Sequence, residues 1–96
     1  MTISQLDPLL ALAASIERLP EASDVASEIK RIVGRAASSS MAQSACEHII
    51  NMCNPKAWGD RYVSGMVNNE WHQFLSKLSD TAAQCGQAIF DAEQRN

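Results

Sequence analysis

Ninety-six residues, 46% of them apolar and 20% charged, are enough for one domain with one small core and leave little room for a large buried reaction chamber. Eight basic against eleven acidic side chains leave a net charge of −3. That balance disfavours broad nucleic-acid contact, because displacing counterions from phosphates needs a basic face.

The longest apolar run, Leu9 to Ala14, is far too short for a membrane span. Ala11-Leu12-Ala13 imitates a leader cleavage site, but Met1 to Pro8 contain no Lys or Arg and do contain Asp7, so secretion is not expected. A first helix is predicted from Asp7-Pro8, with Asp7 as cap and proline at the first helical position. Leu9, Leu12, Ile16 and Leu19 form its stripe, and Pro20 stops it. A second helix is predicted from Ala22 to Arg35, with Val25, Ile29, Ile32, Val33 and Ala36 inward and Asp24, Glu28, Lys30, Arg31 and Arg35 outward.

Ala36 to Ser40 reads as a short linker, and Ser40-Met41-Ala42-Gln43 as a capping box opening a third helix, Met41 to Cys53. The apolar arc of that helix holds Met41, Ala42, Ala45, Cys46, Ile49, Ile50, Met52 and Cys53. It covers half the circumference, so the helix is expected to be central and touched from two sides. Asn54-Pro55 ends it. A loop and a short helix from Asp60 or Arg61 to Val67 are expected next. The final helix, Glu70 to Glu93, has its stripe at Trp71, Phe74, Leu75, Leu78, Ala82, Cys85 and Ile89. At about 36 Å it outreaches a compact domain about 30 Å across, so it must span the fold or protrude. The expected architecture is an all-α bundle of four or five helices in a single domain over residues 1–96, with a long C-terminal helix.

Reactive side chains are present but scattered. An odd number of cysteines (Cys46, Cys53 and Cys85) makes no disulfide framework, and Cys46 and Cys53 sit about 10.5 Å apart along one helix, so reduced thiols and a cytoplasmic setting are expected. Cys46 and His48 point to opposite sides of their helix and cannot share a metal ion. His72, Ser76 and Asp80 stand four apart on a polar helix face, where neither a dry site nor an oriented base is supplied. Catalytic, metal and cofactor sites are therefore not expected. Lys30, Arg31 and Arg35 are the densest basic cluster, but the helix that would read DNA, Met41 to Cys53, carries no Lys or Arg.

Trp58, Arg61 and Tyr62 gather in or beside a loop and are of the types enriched at binding hot spots, although Trp58 and Tyr62 can equally close one end of the core. Trp71 and Phe74 extend that candidate patch. The small residues Ala82, Ala83, Cys85, Gly86 and Ala88 invite a close helix neighbour from the same chain or from a second subunit, making a homodimer through residues 70–93 an option. The resulting expectation is a non-enzymatic protein-binding module acting by stoichiometric association with another protein. An inhibitor such as a phage-encoded antagonist of host defence, an immunity protein or antitoxin, a chaperone and an adaptor all fit. The rivals are a DNA-binding regulator using Lys30, Arg31 and Arg35, and a structural subunit assembled through its last helix.

Overall fold

The computed structural model describes residues 4–54, 56–59, 63, 66 and 69–94. Among these, a single 3-10 turn (Ser4–Leu6) leads into four α-helices, with no strand. The helices are α1 (Asp7–Ile16), α2 (Ser23–Gly34), α3 (Ser39–Met52) and α4 (Glu70–Gln94). They pack as a ring: α1 on α2, α2 on α3, α3 on α4 and α4 on α1, with the α3–α4 seam the most extensive. The all-α bundle expected from hydrophobic periodicity is the fold observed.

Helix α4 is the spine. Its 25 residues are about 37 Å long at 1.5 Å per residue. That length fits only along the 45 Å axis of a molecule measuring 21 and 19 Å in the other two directions. Trp71, Leu75, Leu78, Ala82, Cys85 and Ile89 are buried along one stripe, with Phe74 half-buried at its edge. Helix α3 runs antiparallel beside it. Gln43 Nε2 donates to Glu93 Oε2 (3.4 Å) near one end, and Cys46 Cβ lies 3.5 Å from where a β-carbon on Gly86 would stand. Ala42, Ala45 and Cys46 are buried on α3, and Ala82 and Cys85 on α4. Short side chains on both helices let the backbones approach closely. Helix α3 thus covers Ala82 and Cys85 of the small-residue half of α4, while Ala83 and Ala88 stay exposed.

Helix α3 is touched from two sides, by α2 and α4, as its broad apolar arc implies. Met41, however, belongs to the exposed surface and not to that arc. The helix boundaries shift for local reasons. Helix α1 stops at Ile16, before Leu19, where the backbone changes to tighter turns, Leu19 N–H to Ile16 O and Ala22 N–H to Leu19 O. Pro20 disfavours helical geometry at the residue before it, and the unwinding begins further upstream. Asp7 lies inside the first turn of α1, and Leu6 occupies the cap position.

Helix α3 begins two residues earlier than the capping box suggests. Ser38, with extended backbone, accepts a hydrogen bond from Met41 N–H at 3.2 Å, and Ser40 is already helical. Three consecutive serines are equally able to cap, so local sequence does not choose among them. Ser38→Ala is expected to destabilise the fold by about 1 kcal/mol, and Ser40→Ala by less than about 0.5 kcal/mol. Thermal denaturation of the two variants checks this, and equal losses would contradict the assigned cap. The expected short helix at 60–67 falls largely outside the described residues. Within it, Val63 is buried, and Met66, half-buried, donates its N–H to Val63 O at 3.2 Å.

Candidate interaction surface

After α3 the chain folds back on the helix end. Asn54 Oδ1 accepts from Lys56 N–H (2.8 Å) and Ala57 N–H (3.1 Å), its Nδ2 donates to Asn51 O, and Trp58 N–H returns to Met52 O at 3.0 Å. An asparagine side chain imitates a backbone turn in this way. The turn carries Trp58 inward to 4% exposure. The Trp71 indole N–H donates to Trp58 O at 2.8 Å, and the Trp71 ring stacks on Phe74 at 5.4 Å.

The expected docking patch is therefore corrected in part. Trp58 and Trp71 are core residues that fasten the 53–59 loop to the start of α4, and their rings offer no face to a partner. Phe74 is half-buried beneath the same stack. Arg61 and Tyr62 lie outside the described residues.

Among the described residues, two large apolar side chains are exposed instead, Met41 at 48% and Phe90 at 47%. They flank the outer face of α3, whose centre line is Ser40, Ser44, Glu47 and Asn51, all exposed. On the α2 side, Met41 borders a largely apolar groove with Ile32, Ala36 and Ala45, rimmed by Arg31, Arg35 and His48. On the α4 side, Phe90 rises beside Gln43, Glu47 and Glu93. A shallow depression continues from there over Ile50, Ala83 and Gly86. Helical periodicity places the two flanks on opposite sides of α3, since residues 41 and 48 share one edge and 43 and 50 the other. Phe90 had a signal in the sequence: it is an aromatic one residue past Ile89, and so about 100° off the α4 stripe.

The charges on this surface are unevenly neutralised. Lys30 Nζ pairs with Glu17 Oε1 at 2.6 Å, and Arg31 pairs with Glu28. The hydrogen bond from Lys30 holds the Glu17 carboxyl below its usual range, and that from Arg31 does the same for Glu28. Two of the three cations that suggested DNA binding thus serve intramolecular pairs. Arg35 has no ion-pair partner among the described residues.

His72, Ser76 and Asp80 line one open depression on the outer side of α4 and, with Cys53 and Asn54, a second beside it, but they make no hydrogen bond to one another among the described residues. His72, Ser76 and Asp80 are all exposed along α4, and Cys46 faces the α4 seam while His48 faces α2. No three His, Cys, Asp or Glu side chains converge on one point among the described residues. All three cysteines are free thiols. Burial pushes the Cys46 and Cys53 thiols up to about 11, and raises that of Cys85. At neutral pH the thiolate of Cys46 or Cys53 is then roughly a hundredfold scarcer than that of an ordinary thiol. A disulfide-exchange dye at pH 8 is expected to label the folded protein far more slowly than the urea-unfolded chain, with half-buried Cys53 first. A fast-reacting thiol in the folded state would contradict this packing.

The geometry defines a class, an all-α bundle, in which, among the described residues, the two exposed large apolar side chains stand on either side of the outer face of α3. Among the described residues, no helix is long and apolar enough to cross a membrane. Compared with known proteins, the chain matches no family model, and no curated protein or solved structure is significantly similar to it.

Proposed function

We propose that this protein is a non-catalytic binding module that associates stoichiometrically with protein through the outer face of α3. The observation that supports this reading is the placement of Met41 and Phe90. Among the described residues, the two most exposed large apolar side chains flank the same helix face, and each borders a groove between helices. Aromatic and methionine side chains in such settings are enriched at protein contacts, ringed by polar groups that exclude water at the rim. The polar rim is present here as Arg31, Arg35, Gln43, Glu47 and Glu93. The acidic net charge and the arginine-free, lysine-free α3 weigh towards a protein and away from nucleic acid as the bound species.

Affinity capture with the tagged full chain, from cells that encode it, tests the reading. Phe90→Ser and Met41→Ser are both surface changes that leave the buried core intact. Each is expected to weaken capture of a bound protein by about tenfold or more while circular dichroism stays helical. Undiminished capture by both variants would place the binding surface elsewhere.

A further inference from the structure

We infer that the occupant of the α3 face is a second copy of this chain, related to the first by a two-fold axis running parallel to α3. This rests on the reading that the α3 face binds protein and names the protein that it binds. On one flank lies a largely apolar groove of about 330 Å³ containing Ile32 and Met41, with Arg31 and Arg35 on its rim. On the other flank stands the half-exposed Phe90 ring, with Glu47 and Glu93 beside it. Asp91 follows Phe90 on α4 and is also exposed.

Each flank is the complement of the other. One offers a groove and a surplus of positive charge, for among the described residues only Arg31 is paired with a carboxylate there. Among the described residues, the other offers the half-exposed Phe90 ring and the carboxylates of Glu47 and Glu93, with no Lys or Arg lining it. The two stand at the same height, because Ser40 and Ser44 border both. A surface that carries both halves of a contact is self-complementary, as an isologous dimer requires. Phe90 of each copy then enters the Met41 groove of the other, where ring and thioether make a favourable contact. Glu93 and Glu47 approach Arg35 and Arg31 across the interface, and the charge match steers the encounter.

The axis direction follows from the same layout. A two-fold axis in the interface and parallel to α3 lays each basic flank on the partner's acidic flank, with the two α3 helices parallel. An in-plane axis perpendicular to α3 would lay basic on basic and Phe90 on Phe90. Only the first arrangement uses the complementarity.

The test is the mass of the full chain by sedimentation and light scattering across about 1 μM to 1 mM, a range that reports weak and tight pairing alike. The expected result is a shift from one chain mass towards two. Phe90→Ser and Arg35→Glu are each expected to raise the dissociation constant about tenfold or more. The double variant Arg35→Glu/Glu93→Arg, which exchanges the charges across the interface, is expected to recover pairing relative to Arg35→Glu alone. Mild oxidation separates the axes. Ser44→Cys and Asn51→Cys, made singly, are each expected to cross-link to their own counterpart when the α3 helices run parallel, with the parent chain as blank. A strictly monomeric chain, a dimer indifferent to both Phe90→Ser and Arg35→Glu, or failure of both cysteine variants to cross-link overturns the inference. If the chain is monomeric but Phe90→Ser still abolishes capture of a different protein, the second copy is ruled out and the binding surface stands. If Phe90→Ser changes neither measurement, both readings fall.

Discussion

Trp71→Ala is expected to cost at least about 3–5 kcal/mol, the range for removing a large aromatic from a packed core. Domains of this size are commonly only about 5–15 kcal/mol stable, so the variant should be partly unfolded at room temperature. Two causes add. The indole is 3% exposed and stacked on Phe74, so truncation opens a cavity in the wall between α4 and the 53–59 loop. Its N–H also satisfies the buried Trp58 carbonyl at 2.8 Å, and that oxygen would be left without its donor. Trp71→Phe separates the causes, because it keeps most of the ring and loses only the donor. Its expected cost is about 1–3 kcal/mol. Urea unfolding followed by circular dichroism measures both. A loss for Trp71→Ala no larger than that for Trp71→Phe would assign the stability to the hydrogen bond alone, and no loss in either would remove Trp71 from the core.

Ile49→Ala is the second large effect, at about 2–5 kcal/mol. Ile49 is 0% exposed at the middle of the covered arc of α3. Its buried neighbours on that arc are Ala42, Ala45 and Cys46. Short side chains have no flexible ends to swing into a hole, so the cavity should persist and the cost should fall in the upper half of the range. Ile49→Val removes a single methyl group and is expected to cost about 0.5–1.5 kcal/mol. The midpoints of urea titrations at unchanged slope give both values. A loss under about 1 kcal/mol for Ile49→Ala would mean that α3 and α4 can close up, against the close backbone approach at Gly86.

The chain order of buried residues shows how far local pattern reaches. The α4 stripe was legible because a step of three or four residues repeats there five times without interruption, and each step restates the same face. The α2 face was legible for the same reason, and Val25, Ile29, Val33 and Ala36 are all buried. Helix ends were less so. Among Ser38, Ser39 and Ser40 the cap depends on which serine the packed helix leaves extended, a matter of tertiary fit that no single serine encodes.

The candidate surface was the least legible part. Trp58 and Trp71 attracted attention by residue type, yet type does not say whether a ring turns inward, and the Asn54 turn decides that it does. Met41 sat at the edge of a broad arc, where a rotation of a few tens of degrees moves a side chain from core to solvent.

By itself the sequence determined the helical class, the long last helix and its buried stripe, because these follow from periodicity summed over many residues. The tertiary structure alone decided that α3 covers Ala82 and Cys85 in the small half of α4, that the tryptophans serve the core, and that Met41 and Phe90 stand exposed on either side of one helix with opposite charge beside them. The physical reason is that exposure is a property of what packs alongside, and the two flanks come from helices up to about sixty residues apart in the chain, joined only when the bundle closes.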